Sequence, residues 1–296
     1  WENYIAGVKK QGIQAGISKS TLDQALDHLT APSAAVKTQE RNQPETTINY
    51  DKYIKSRADS RRIEAGKRAY NQEKQVLNNI EKRYSVSSCV VTALWGIETY
   101  YGKNTGNFNV IQSLATLGYQ SPRKQFYNKE LLIALDMVDK QQISLAKFKG
   151  AWAGASGQCQ FIPSSYQAYA VDYNNDGKKN IWTDIRDVLA STANYLNKNG
   201  WKKNQPIMVI VKLPRNFNQE LITSKKTLTV KQWLDKGVKI SSHQKINRNL
   251  PASLVQPTGG PTLMVFTNYK VIKRWNNSVY FAGAVKQIAQ GICGEN

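Results

Sequence analysis

A chain of 296 residues is long enough to bury a sizeable core and to contain two or three subdomains. Forty-one Lys and Arg against twenty-one Asp and Glu leave a formal charge of +20, which favours polyanionic surroundings such as nucleic acid, anionic lipid or an acidic cell wall. The basic residues are spread from Lys9 to Lys286, with no paired Cys/His finger and no ribonucleoprotein aromatic motif, so a nucleic-acid-binding function is disfavoured. No run approaches the roughly 20 apolar residues that span a bilayer.

In chain order, Ser20-Thr21-Leu22-Asp23 reads as a capping box, and Leu22, Ala25, Leu26 and Leu29 give a short amphipathic helix. From Thr30 to Asn49 the sequence is polar and punctuated by Pro32 and Pro44, which predicts an extended connection. A helix is expected over 61–83, with Tyr70, Leu77 and Ile80 and the following Tyr84 on its apolar side. Further helices are expected around Glu98, over 128–140 and over 185–199. Beyond Trp201 the period changes. Pro206–Pro214 and Leu263–Phe266 read as strands, and 203–262 as a small β-containing subdomain; helix returns over 278–291.

Within the run Ala93-Leu94-Trp95-Gly96-Ile97-Glu98-Thr99-Tyr100-Tyr101-Gly102, helical spacing puts Glu98 on the stripe of Leu94 and Val91, which faces the interior. Burial disfavours an ionised carboxyl and raises its pKa, the adjustment a general acid needs near neutral pH. The structural alternative is a Glu that pairs with an Arg or accepts from a backbone amide. Downstream, Gly154-Ala155-Ser156-Gly157-Gln158-Cys159-Gln160-Phe161-Ile162-Pro163-Ser164-Ser165-Tyr166 replaces helix formers with small residues and amides. Gly154 and Gly157 allow close backbone approach, Pro163 suits a helix start, and Ser156, Gln158 and Gln160 suit a neutral, hydroxyl-rich ligand. A polar turn between helices is the alternative there.

These segments, with Asn107–Leu117, Tyr169-Ala170-Val171-Asp172 through Trp182, Ala190–Leu196, Asn199-Gly200-Trp201, Arg274-Trp275-Asn276 and Ala282–Val285, resemble the membrane-bound lytic transglycosylase B family of murein-degrading enzymes. Gly16-Ile17-Ser18 and Gln43-Pro44-Glu45 extend the resemblance weakly to the amino-terminal part. It implies a mainly α (α+β) fold: a lysozyme-like helical core over 81–202 plus 263–296, an amino-terminal helical region and linker over 1–80, and the small β subdomain over 203–262. It implies cleavage of peptidoglycan glycan strands between N-acetylmuramic acid and N-acetylglucosamine with 1,6-anhydromuramic ends, Glu98 acting as acid and then base, and no cofactor for the chemistry. Ser156, Gln160, Tyr195 and Asn276 match positions that line the saccharide subsites; Trp275 stands where an aromatic is expected, and Phe281 replaces a groove tyrosine. Arg123 and Lys124 are candidates for the lactyl or peptide carboxylates, against an ordinary solvated basic pair.

The resemblance further implies a monomer in the bacterial periplasm or cell envelope. A start at Trp1 is what removal of an export signal or of an outer-membrane lipid-attachment segment leaves. Between Glu98 and Asp172 the only acids are Glu130, Asp136 and Asp139, all on or near one predicted surface helix, so no second catalytic carboxylate accompanies the motifs. Asp172, Asn174 and Asp176, with Gly177 sixth and the Lys178 carbonyl seventh, reproduce the start of an EF-hand loop. Position twelve is Thr183, so closure falls to Asp184 or Asp187, and the calcium implied is structural; a metal-free Asx-rich turn is the alternative. Cys89, Cys159 and Cys293 permit at most one internal disulfide. With only His28 and His243 in the chain, Cys159 reads as a packing residue in preference to a nucleophile, and Trp95 and Trp182 read as core. Two rivals stay open: a hydrolytic muramidase on the same scaffold and a non-catalytic wall-binding protein.

Overall fold

The computed structural model describes residues 1–42, 48–241 and 245–294. They are mainly helical with a small antiparallel sheet, the class expected, and divide into two compact units: residues 1–45 with 98–192, and residues 46–97 with 193–296. Gln43-Pro44-Glu45 and His243 lie outside the described residues.

The first unit is organised on a helical hairpin, Val110–Gln120 and Lys124–Asp139. Leu114 and Leu117 on one helix, and Leu131 and Leu135 on the other, recur at three- or four-residue spacing and are all buried, the pattern of two helices sharing a core. Asn109 starts the first helix by accepting from the Gln112 N–H at 2.9 Å. The amino-terminal helix Glu2–Gln14 packs on the hairpin and on Lys19–Leu26. A Cβ on Gly12 would stand 2.6 Å from Leu22 Cδ2, so glycine lets these helices approach. Asp139, at the end of the hairpin, accepts from the Ser18 N–H and from the Ser18 and Thr21 hydroxyls. Those bonds hold its carboxyl below the usual carboxylate range.

Three local expectations change here. Helix Lys19–Leu26 is capped by Ser18, two residues before the expected box, because Gly16 at φ 87° ends the preceding helix and the next begins at once. The stretch 30–49 is not wholly extended: it contains helix Ala34–Arg41, capped by Ser33, with Val36 as its buried residue. Its apolar residues, Ala34, Ala35 and Val36, are consecutive and do not recur along the helix, so they announce no helical period. The helix expected over 61–83 is two, Ser60–Gln72 and Lys74–Tyr84, joined at Glu73 (φ −100°, ψ 14°).

In the second unit the sheet runs Leu228–Thr229, Pro251–Val255, Leu263–Val265, Met208–Lys212, Lys239–Ile240, every neighbour antiparallel. Along Met208–Lys212, Met208 and Val209 are both buried, and from Val209 onward buried Val209 and Val211 alternate with exposed Ile210 and Lys212, as in a half-covered strand. Val209, Val211, Leu254, Met264 and Phe266 share a core with Trp233 of helix Val230–Asp235, whose indole N–H donates to the Ala252 carbonyl at 2.9 Å. Helix Tyr50–Arg57, which the sequence did not announce, packs on Val279–Cys293. Gly283 makes that contact possible, since a Cβ there would stand 2.1 Å from the Tyr50 hydroxyl. Cys89, near the start of Ser88–Thr99, is disulfide-bonded to Cys293 with Cα atoms 6.1 Å apart. Among the described residues no helix is long and apolar enough to cross a membrane.

Candidate active site

Helix Ser88–Thr99 is built from Cys, Val, Ala, Leu and Trp, and Val91 and Leu94 are fully buried. Glu81 caps its start, its carboxylate accepting from the Ser88 N–H at 2.9 Å and the Ser88 hydroxyl at 2.5 Å. Glu98 is the penultimate residue and half-buried, on the stripe its spacing predicted. The chain then leaves the helix sharply. Tyr100, Tyr101 and Gly102 have φ of 51°, 59° and 84°; for the two tyrosines that conformation costs on the order of 1–2 kcal/mol each.

Thr99 upholds this turn. Buried beside Glu98, its hydroxyl donates to the Gln158 carbonyl at 2.9 Å and accepts from the Gly102 N–H at 3.1 Å, while its carbonyl accepts from the Asn104 N–H at 2.8 Å. A Cβ on Gly102 would stand 2.3 Å from Gln158 Oε1. The end of the Glu98 helix is thus bonded to the small-residue loop. Replacing Thr99 by Val keeps the shape and leaves two backbone groups without their partner, so Thr99→Val is expected to lower unfolding free energy by about 1–3 kcal/mol in urea titrations. Sequence reasoning does not single out Thr99; the signal is a β-branched hydroxyl between the acid and a Tyr-Tyr-Gly turn.

The loop itself folds as expected of its glycines. Gly154 and Gly157 have φ of 92° and 72°, and a Cβ on Gly157 would stand 2.8 Å from the Ile181 side chain. Ser156 and Phe161 exchange backbone bonds at 2.9 and 3.1 Å, and Ser156 also bridges to Gly150. Ser156 is buried, 2% exposed. Gln160, left-handed at φ 51°, donates its amide to the Thr105 and Gly157 carbonyls at 3.0 and 2.9 Å. Both donors therefore hold the loop, and its side-chain carbonyl is the group left to accept from a ligand. Cys159 is buried and outside the disulfide; burial first, and the Glu98 charge as a lesser cause, push its thiol upward. A neutral thiol suits packing, not nucleophilic attack.

The three other acids of this region are engaged. Glu130 is not on a surface helix face: it is 2% exposed, and its carboxylate accepts from the Ser164 N–H at 2.8 Å. It thereby caps helix Pro163–Tyr169, whose own N-cap, Ile162, has no side chain able to do so. Asp136 pairs with Lys140 at 2.7 Å, and Asp139 is held by Ser18 and Thr21.

The loop from Asp172 is a series of Asx turns. Asp172 accepts from the Asp176 and Gly177 N–H groups at 3.1 and 2.8 Å, Asn174 from Asp176 at 3.1 Å, and Asp176 from Lys178 at 2.9 Å. The Asn174 amide nitrogen lies 2.9 Å from carboxylate oxygens of both Asp176 and Asp184. Arg186 grips Asp184 at 2.7 and 3.0 Å and holds its carboxyl below the usual range. Asp187 is fully buried and braces the loop from within, accepting from the Tyr173 and Asn180 N–H groups at 2.8 and 2.7 Å; burial raises its carboxyl. The all-oxygen donor set and Gly177 suit a hard cation, although no group of three or more His, Cys, Asp and Glu converges as a metal cluster among the described residues.

In the second unit Tyr195 is buried, donates its hydroxyl to the Arg274 carbonyl at 2.8 Å and meets the Trp275 ring edge-on at 4.7 Å between centroids. Asn276, which follows helix Thr267–Trp275, is exposed, and Phe281 is buried. In the first unit Arg123 and Lys124 are exposed, with the Arg123 guanidinium 4.5 Å from the Phe126 ring centroid. Trp95 is buried and Trp182 half-buried, edge-on to Phe148.

Among known proteins, the family described as Transglycosylase SLT domain matches residues 1–290. The membrane-bound lytic murein transglycosylase B of Escherichia coli strain K12 is 28% identical over 294 residues, 94% of this chain and 79% of that protein. SltB3 from Pseudomonas aeruginosa, in complex with NAG-NAM-pentapeptide, superposes with a TM-score of 0.94 at 36% identity, over 99% of this chain and 80% of that one. The Escherichia coli lytic transglycosylase SLT35 in complex with calcium gives 0.85 at 27% identity, over 98% of this chain and 92% of that one.

Proposed function

The chain belongs to the transglycosylase SLT domain family, and from that premise we propose that it cleaves the N-acetylmuramic acid–N-acetylglucosamine bond of peptidoglycan with Glu98 as acid and then base. It is a lytic transglycosylase of peptidoglycan. The observation that carries the residue-level reading is the half-buried Glu98 carboxyl, fixed through Thr99 to a neutral loop while Glu130, Asp136 and Asp139 are bonded elsewhere.

Glu98 gives its proton to the bridging oxygen and the bond to the muramic C1 breaks, releasing the 4-hydroxyl of N-acetylglucosamine. The C6 oxygen then bonds to C1 while its proton returns to Glu98. No water is consumed, so the second carboxylate that positions water or attacks the sugar in hydrolases has no task. Mass spectrometry of products from purified peptidoglycan tests this: 1,6-anhydromuramic ends are expected, and reducing muramic ends alone would make the enzyme a muramidase.

Gln160 and Asn276 are proposed to bind saccharide hydroxyl or acetamido groups, with Ser156 and Tyr195 shaping the surfaces beside them. Gln160→Ala and Asn276→Ala are each expected to reduce kcat/KM about tenfold to a hundredfold, the loss of one hydrogen-bond partner for a buried polar group. Unchanged kinetics in both would remove them from the site. Arg123 and Lys124 are proposed to face lactyl or peptide carboxylates.

Calcium is proposed as a structural ion, held by Asp172, Asn174, Asp176 and the Lys178 carbonyl with Asp184 or Asp187 completing the site. Such an ion would tie the loop together and is not used in the chemistry. Calcium is expected to raise the thermal midpoint, by about 2.7 kcal/mol of stabilisation at 100 times its dissociation constant, and Asp176→Ala to abolish the shift; melting curves identical with calcium and with chelator would reject the site. The place of action is the cell envelope, where the polymer lies. Amino-terminal lipid attachment to the outer membrane is proposed for the precursor, tested by fractionation after lipoprotein processing is blocked.

A further inference from the structure

Helix Thr267–Trp275 presents Lys270, Lys273 and Arg274 at i, i+3 and i+4 on one face, and Asn277 follows the extended Asn276 that ends the helix. That face lines a cavity of about 340 Å³ together with Ser224 and Ser253. No carboxylate is among the lining residues. Among the described residues Lys270, Lys273 and Arg274 pair with no Asp or Glu; Lys273 lies 5.8 Å from the Tyr269 ring centroid and Arg274 donates to the Asn199 side-chain oxygen at 3.4 Å. The helix C-terminus favours cations in its last turn. That accounts for Lys273 and Arg274, not for Lys270 one turn earlier or for the cavity they share. Ser253 is 1% exposed, its hydroxyl 3.1 Å from that of Thr227 and directed to the Ser224 carbonyl at 3.4 Å, so the wall opposite the cations is fixed.

We propose that this cavity binds the carboxylates of the peptide stem carried by the glycan strand. The inference rests on the transglycosylase reading and names a second contact for the same substrate. Trp275 and Asn276 close the same helix, and Tyr195, on helix Ile185–Lys198, packs on its end, meeting the Trp275 ring and bonding to the carbonyl of Arg274 itself. A lactyl-linked stem leaves the sugar sideways, and the cationic face adjoins Trp275 and Asn276 in the chain. Two Lys donors and an Arg fork suit carboxylate, and Asn277 and the hydroxyls suit peptide amides.

The test is read without turnover first. An isolated stem pentapeptide is titrated calorimetrically into the whole chain, beside the same peptide with its carboxylates amidated and beside inorganic phosphate. The free-acid peptide is expected to bind, the amidated one not. Lys270→Gln/Lys273→Gln is expected to weaken binding about tenfold, the combined worth of two exposed charge contacts. Equal binding of the amidated peptide, equal binding by the variant, or binding of phosphate alone would overturn the proposal. In turnover, the double variant is expected to raise KM about tenfold on peptide-bearing strands, with kcat retained, and to leave peptide-free strands unaffected. An equal loss on both substrates would overturn it. Absence of anhydro products from the parent enzyme on either substrate would instead refute the transglycosylase reading, leaving the calorimetry to stand or fall separately.

Discussion

Glu98→Gln is expected to fold like the parent and to lose turnover by about 10²- to 10⁴-fold, the typical contribution of general acid–base catalysis. The amide matches the carboxyl in volume, so the helix Ser88–Thr99, its buried Val91 and Leu94, and the Thr99 bonds to Gln158 and Gly102 remain as they are. What disappears is the transferable proton. Both halves of the reaction need it: the leaving oxygen is not protonated, and no carboxylate is left to take the C6 proton. Because Glu130 is engaged in capping Pro163–Tyr169 and Cys159 is buried with its thiol held neutral, no neighbour described in this region replaces it. The check is anhydro-product formation per enzyme beside a urea melt. Parent-like turnover in a variant with a parent-like melt would remove Glu98 from the mechanism; a variant that also unfolds early would make the loss structural.

The strongly periodic elements are legible in the amino-acid sequence. Helix Ile185–Lys198 is expected over 185–199, Val279–Cys293 over 278–291, and strand Met208–Lys212 within Pro206–Pro214. Each carries enough apolar residues at one spacing to announce its period. Ala34–Arg41 and Tyr50–Arg57 are not legible, since each buries one residue and depends on tertiary neighbours. The same division holds at the site. Glu98 stands out because a carboxyl on an apolar stripe contradicts its surroundings. The internal use of Gln160's two donors, and Glu130's capping of a helix 34 residues away, are long-range hydrogen bonds that no local pattern encodes. Glu130 accordingly reads as a surface acid in the sequence and is buried in the fold: its sequence neighbours include polar residues, and its burial comes from a helix that follows much later.

Removing the disulfide, by Cys89→Ser with Cys293→Ser or by reductant, is expected to cost about 2–5 kcal/mol of unfolding free energy. The bond closes a loop with a sequence separation of 204 residues, and in the chain-entropy view longer loops restrict the unfolded ensemble more, which places the effect toward the upper end of that range. Both cysteines lie in the second unit, near the start of the Glu98 helix and at the end of the last helix, so the link restrains the unit that carries Tyr195 and Asn276. The loss acts mainly through the unfolded chain, so turnover well below the midpoint is expected to be nearly unchanged, in contrast to Glu98→Gln, which spares the midpoint and removes turnover. Such a bond persists in an oxidising compartment, in agreement with work on an envelope polymer. The measurements are urea midpoints with and without reductant and thiol counts. The native chain is expected to show no reactive thiol, since Cys159 is 1% exposed, and the unfolded, unreduced chain one. Three thiols in the unfolded, unreduced chain, or a midpoint indifferent to reductant, would rule the disulfide out as a source of stability.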